Sequence, residues 1–331
     1  MNIPDKVTKT QKTTLEFADN RLLPGLFGEH HSHLTRIEQI LEVEIASRGN
    51  KLVITGPKQA RLEAGKTLRT LYKRLTRNED ISLGDVEGAL RVAAYVAEED
   101  PDNPGDGGDI AIRTPKRHIS ARSANQLGYI KSLADHELVF GVGPAGTGKT
   151  YLAVAKAVSL LIEGHVERII LSRPAVEAGE HLGFLPGDMR DKVDPYLRPL
   201  YDAIYDMMPA EHVAKRIESG EIEVAPLAFM RGRTLAHSFI ILDEAQNCTP
   251  MQMKMFLTRL GEGAYMAITG DPSQVDLPKG ARSGLHEALD ILTGVKGVGI
   301  IRFDETDVVR HPLVTRIVRA YNALDGKQGR G

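Results

Sequence analysis

The densest chemistry in the chain lies in eight consecutive residues, Gly143-Pro144-Ala145-Gly146-Thr147-Gly148-Lys149-Thr150. They fit the spacing G-x-x-x-x-G-K-[ST] of a loop that cradles phosphate. Glycines let successive backbone N–H groups converge on an anion without a Cβ in the way. The start of a following helix adds partial positive charge. In such a loop Lys149 reaches the β and γ phosphates and the Thr150 hydroxyl ligates Mg2+.

A second set of groups suits the same chemistry. Asp243 and Glu244 follow the apolar run Phe239-Ile240-Ile241-Leu242. An acid at the end of such a strand, beside a phosphate loop, can hold Mg2+, directly or through water. Its neighbour can polarise an attacking water as general base. Gln274, in Gly270-Asp271-Pro272-Ser273-Gln274, offers an amide able to sense a γ-phosphate by hydrogen bond. By contrast Gly65-Lys66-Thr67 has Ala60 where the loop pattern needs its first glycine, and it reads as helix surface.

The elements needed to position these groups are legible around them. Leu138–Val142 reads as a buried parallel strand. Tyr151–Glu163, closed by Gly164, reads as a helix. Further buried strands are expected at Arg168–Ser172, Phe239–Leu242, Ala264–Thr269 and Ile300–Phe303, with a helix at Met251–Leu260. Glu177–Ala203 reads as a long polar insertion whose loops lie at the carboxyl ends of the strands, where open α/β sheets bind ligands. Asp307 opens a helical stretch ending near Leu324.

Ahead of this region, Thr13–Phe17, Leu41–Ile45 and Lys51–Thr55 read as strands. Helices are expected after Gly28, over Lys58–Arg77 and over Ile81–Glu98. On the helix over 58–77, Lys66, Arg69, Lys73 and Arg77 fall at helical spacing. That basic stripe is either a solvated face or a contact for a phosphate backbone. His30, His31 and His33 cluster, but no cysteine or carboxylate set completes a metal site. Glu98–Gly108, rich in Asp, Pro and Gly, is linker chemistry.

The expected domains are 1–100, a small α+β unit; 101–118, a linker; 119–323, the phosphate-loop domain; and 324–331, a glycine-rich disordered tail. A chain of 331 residues, 42% hydrophobic, has enough material for two cores. A net charge of −2 confines any nucleic-acid surface to a local patch. The single cysteine, Cys248, excludes an intramolecular disulfide and a cysteine zinc cage. Met1–Thr14 lacks an apolar signal core and no run approaches a membrane span, so a soluble cytoplasmic protein is expected.

With these residues in view, the chain resembles the PhoH-like proteins, and its core resembles the first motor domain of superfamily 1 helicases. The resemblance covers about 119–322 and, on fewer residues, 13–100. It is carried by Asn125-Gln126, the loop at 143–150, Ser172-Arg173-Pro174, Leu242-Asp243-Glu244-Ala245-Gln246-Asn247, Thr269-Gly270-Asp271 with Gln274, and Asp307-Val308-Val309-Arg310-His311. It implies a P-loop NTPase (RecA-like) fold, a mostly parallel sheet flanked by helices, preceded by a KH-like domain. The order strand, short helix, Gly25-Leu26-Phe27-Gly28, helix, strand, strand, helix resembles that RNA-binding module. Here, though, the glycine pair encloses Leu26-Phe27, where the family usually places a basic residue, and Glu29 follows.

The resemblance further implies that Gln126 recognises adenine, that Gln246 and Gln274 report the γ-phosphate, and that Arg173 touches single-stranded nucleic acid. Only about 90 residues follow Asp243, too few for a second motor domain. A closed ring of subunits, a hexamer by family tendency, is therefore expected. Arg310 is the candidate arginine finger in trans, or else pairs with Asp307. The expected function is Mg2+-dependent ATP hydrolysis coupled to RNA binding or remodelling, with duplex unwinding as an extension. The alternative is a nucleotide-gated RNA- or ribosome-associated module with little turnover. Glu244 beside Asp243 argues for water activation and against a phosphotransferase.

Overall fold

A computed structural model describes residues 11–99, 110–174, 189–278 and 280–308. Its contacts divide the chain into two compact units: 1–111 with 118–127, and 112–117 with 128–331.

The first unit holds β1 (Lys12–Glu16), α1 (Leu23–Phe27), α2 (Ser32–Leu41), β2 (Glu44–Arg48), β3 (Lys51–Thr55), α3 (Lys58–Thr76) and α4 (Leu83–Glu99). Its antiparallel sheet runs β1-β3-β2. Leu15, Leu52 and Ile54 of the sheet meet Ile37, Leu68 and Leu71 of the helices in one apolar core. The element order is the one anticipated from the sequence, with one shift. Leu41 ends α2 rather than opening a strand, because Glu42 turns left-handed at φ 52° and the strand begins only at Glu44.

Gly65-Lys66-Thr67, read as helix surface, is not surface, and the basic stripe is only partly so. α3 packs against β1 and β3 and also against α4, so several of its faces are covered. Gly65, Lys66 and Thr67 are buried; Lys66 is 1% exposed and donates to the Val96 carbonyl at 3.4 Å. Arg69, Lys73 and Arg77 are half-buried and none of them is free. Of the basic stripe, only Lys66 is thus taken inside the fold. Within Gly25–Gly28, Leu26 is fully buried in the core. The cleft beside that segment is bounded by Glu29, Asp80 and His33, with no Lys or Arg. His33 is turned inward against the carbonyls of Gly25 and Leu26 at 3.2 and 3.3 Å.

Next in the chain come β4 (Ala111–Arg113), β5 (His118–Ser120) and α5 (Ala124–Asp135), whose residues are divided between the two units. The second unit continues with β6 (Leu138–Val142), α6 (Lys149–Ile162), β7 (Arg168–Arg173), α7 (Met189–Met207), α8 (Ala210–Glu218) and β8 (Ile222–Pro226). Then come β9 (Ser238–Leu242), α9 (Pro250–Leu257), β10 (Tyr265–Gly270), α10 (Gly284–Leu292) and β11 (Val298–Arg302). The six strands form one parallel sheet in the order β11-β6-β10-β9-β7-β8. This is the P-loop NTPase arrangement. Every residue of β6 and β9 is buried, as expected of strands covered on both faces.

Phe140, Ile240 and Leu242 face a core completed by Met253 and Phe256 of α9 and Leu285 of α10. Their chain neighbours point to the other side. α6 packs against β7, β9 and β10. The stretch read as a polar insertion is in part helical: α7 takes up its second half, and 175–188 lie outside the described residues. The edge strand β8 and helix α10 have no counterpart in the sequence reading. The stretch from 309 on, with the C-terminal helix and the tail, lies outside the described residues.

Candidate active site

The site is built at the carboxyl edge of the sheet. β6 lies between β11 and β10 and delivers the chain into the loop at Gly143. Gly143 has φ 141°, and its N–H donates to Gly270 O at 3.0 Å. A Cβ there would strike the carbonyl of Phe303, whose own N–H donates to Val142 O at 2.7 Å. Gly146 and Gly148 sit at φ 83° and 85°, conformations that L side chains rarely adopt. α6 starts at Lys149, so the loop leads straight into a helix N-terminus.

Lys149 is 7% exposed. Its ammonium donates to the carbonyls of Gly143 and Pro144, both at 2.7 Å, and to Thr147 Oγ1 at 3.2 Å. Burial pushes its pKa down, while the negative charges of Asp271, Asp243 and Glu244 hold the proton on.

Asp243 leaves the end of β9 with its N–H donating to Ser172 O at 2.9 Å. Its Oδ1 accepts from Thr150 Oγ1 at 2.6 Å and from Thr269 Oγ1 at 2.8 Å. A carboxylate and two hydroxyls form a hard oxygen set, and the Thr150–Asp243 pair fits Mg2+.

Glu244 adopts the left-handed conformation at φ 53°. Arg173 Nη2 lies 3.2 Å from its Oε1, and Gln246 Nε2 donates to its Oε2 at 2.6 Å. Gln246 Oε1 in turn accepts from the N–H of Asp271 at 3.0 Å. Asp271 is a third carboxylate, 7% exposed. Its Oδ1 accepts from the N–H and hydroxyl of Ser273, and its buried Oδ2 has no partner among the described residues.

These groups enclose a cleft of about 250 Å³. Ala145, Gly146, Gly148, Lys149, Thr150, Asp243, Glu244 and Gln274 all border it, so most of the residues singled out in the sequence meet in one place. Gly143, Pro144 and Thr147 form the loop behind it, gathered around the Lys149 ammonium. Gln274 is exposed, its N–H donating to Asp271 O at 3.1 Å. Gln126 belongs to the first unit, where it is buried and its Oε1 accepts the Arg122 N–H at 2.8 Å. Arg310 lies outside the described residues, and Asp307 Oδ2 accepts the N–H of Asp304 at 2.8 Å.

Three features went unread in the sequence. Thr269 is the second hydroxyl on Asp243, and Asp271 is a third acid at the cleft. Both are polar residues at the end of a buried strand in the same sheet, a signal available in advance. The Arg173–Glu244 pair joins the ends of β7 and β9, and nothing local announces it.

The family model described as PhoH-like protein matches residues 118–322. A PhoH-like protein of Bacillus subtilis (strain 168) is 50% identical over 298 residues, covering 90% of this chain and 93% of its own length. A PhoH-like protein of Mycobacterium tuberculosis (strain ATCC 25618 / H37Rv) is 47% identical over 300 residues, 91% of this chain and 85% of its own. Protein PhoH of Escherichia coli (strain K12) is 48% identical over 206 residues, 62% of this chain and 58% of its own.

Proposed function

Since the chain belongs to the PhoH-like protein family, we propose that it is a Mg2+-dependent ATP hydrolase, cleaving ATP to ADP and phosphate, with turnover coupled to single-stranded RNA. One observation carries the hydrolase reading. Thr150 and Thr269 converge on Asp243 at 2.6 and 2.8 Å, and Lys149 and Glu244 border the same cleft.

The roles follow from the chemistry of each group. Loop amides and the ammonium of Lys149 bind the triphosphate tail. Thr150 and Asp243 hold the metal, which when bound neutralises charge on the phosphate oxygens. Glu244 orients the attacking water and accepts its proton. Gln274, at the rim, reports the γ-phosphate. Adenine as the base is part of this proposal. The RNA half is supported by the first unit's order of strand, two helices, two strands and helix. Its contact with RNA then does not use the buried Lys66 or the acid-lined cleft beside Gly28.

Glu244→Gln is expected to bind MgATP and to lose about 10²-fold or more in turnover. Lys149→Ala should lose nucleotide affinity itself. Turnover by wild type with and without single-stranded RNA separates the proposal from a nucleotide-gated binding module. RNA that binds without stimulating would favour the module. That second reading has its own support in the engagement of both Glu244 oxygens.

A closed ring, with an arginine such as Arg310 donated by a neighbour, is also proposed. A trans arginine is worth about 10³–10⁵ in rate in other NTPases. Sedimentation of a fully active monomer would remove it. Among the described residues no helix is long and apolar enough to cross a membrane. We place the protein in the cytoplasm, where a single buried thiol persists without a disulfide.

A further inference from the structure

We propose that Arg173 is a latch on the hydrolytic base: with Gln246 it holds Glu244 at rest, and turnover begins when a phosphate oxyanion of single-stranded RNA draws the guanidinium away. This deepens the hydrolase reading above and rests on it.

Both oxygens of Glu244 are engaged, Oε1 by Arg173 at 3.2 Å and Oε2 by Gln246 at 2.6 Å. A general base must offer an oxygen to water, and competing N–H donors oppose that. The two partners differ in exposure to solvent. Gln246 is 1% exposed and fixed at its far end by the Asp271 N–H, so releasing it means repacking the site. The Arg173 side chain is 22% exposed and that of Glu244 37%, so this ion pair is within reach of solvent.

The pair is set by the sheet. β7 and β9 are parallel neighbours with Ser172 opposite Leu242, and the Asp243 N–H donates to Ser172 O. Arg173 and Asp243 therefore emerge opposite one another at the carboxyl edge, and Glu244, one residue on and turned left-handed at φ 53°, meets the Arg173 guanidinium there. A phosphodiester competes well for a guanidinium, because its two oxygens match the planar fork of donors. Once the guanidinium has moved, Oε1 can accept from water while Gln246 keeps the carboxylate aimed. Arg173 is on this account a positioning residue that acts through Glu244.

The test uses the full chain as wild type, Arg173→Gln and Arg173→Lys, assayed for MgATP turnover with and without a polyuridine strand. Thermal unfolding and binding of a fluorescent ATP analogue serve as controls on folding. The latch predicts that Arg173→Gln raises unstimulated kcat about two- to fivefold, the range for a partly exposed ion pair. KM for ATP should change less than twofold, and RNA should add little further. Arg173→Lys should fall between the two. RNA affinity measured without nucleotide should weaken in Arg173→Gln, with its salt slope reduced by about 0.7.

A folded Arg173→Gln whose unstimulated kcat is unchanged or reduced overturns the latch, a reduction meaning that Arg173 serves the nucleotide's own phosphate. Higher kcat with an unchanged salt slope keeps the hold on Glu244 and overturns RNA as its release. Absence of turnover in both wild type and Arg173→Gln would remove the hydrolase reading and the latch together.

Discussion

The hydroxyl of Thr150 donates to the carboxylate of Asp243 at 2.6 Å across 93 residues of sequence, and Thr269 donates to the same oxygen at 2.8 Å. Thr269 therefore orients the acid proposed to hold Mg2+ without itself bordering the cleft. Loss of such a supporting contact lowers metal affinity or activity by about 10–100-fold. Thr269→Val keeps the shape and removes the hydroxyl. We expect its turnover to fall within that range and its Mg2+ requirement to rise, as a Mg2+ titration of activity would show.

Lys149 carries a pH signature. Burial places its pKa below the ordinary 10.5, so its charge is lost earlier than that of a free lysine as pH rises. Triphosphate binding needs the charge, so affinity for a non-hydrolysable ATP analogue should fall as pH climbs through that lowered pKa. Asp271 is the first of the acids holding the proton on, and Asp271→Asn should start the fall at lower pH. Stability runs the other way. Between the folded pKa and 10.5 the unfolded chain binds more protons at this site, so its contribution to stability rises with pH. An affinity profile in Asp271→Asn that coincides with wild type would contradict this account.

Gly143→Ala should damage the fold as well as the site. Its φ of 141° is unfavourable for alanine, and the added Cβ would meet the backbone of Phe303. Backbone strain and a clash of this kind cost about 2–4 kcal/mol together. Urea unfolding would show it as a lower midpoint with an unchanged slope.

Cys248 should be chemically silent in the native protein. It is fully buried, and burial pushes its thiol up to about 12. A thiol reagent at pH 8 should label it slowly in buffer and at the rate of a free cysteine in guanidinium. Fast labelling of the folded protein would mean that the segment after Gln246 opens readily.

Lys66→Met tests whether Lys66 itself touches RNA. Removing a lysine on a phosphate lowers the salt slope and weakens binding to every sequence alike. With Lys66 1% exposed inside the first unit, RNA affinity and its salt dependence should stay as in wild type.

Much of the site is readable from the sequence because its signals are local. The loop at 143–150 specifies its own backbone, through glycines at φ 83° and 85° and a helix that follows at once. The runs at 138–142 and 239–242 are apolar throughout, so they announce strands buried on both faces. Such signals place Lys149 and Thr150 at a helix start and Asp243 and Glu244 just past a strand end before any pairing is known.

What only the tertiary structure decided is who faces whom. Strand order set β7 beside β9, so Arg173 met Glu244. It also set β10 beside β9, so Thr269 reached Asp243. Packing of α3 against α4 and the sheet left Lys66 buried and Arg69, Lys73 and Arg77 half-buried. The sequence alone determined the parts of a phosphate-handling edge, since each part is encoded within a few residues. Their partnerships were decided by long-range packing, because side-chain type carries no record of the neighbour that folding will bring.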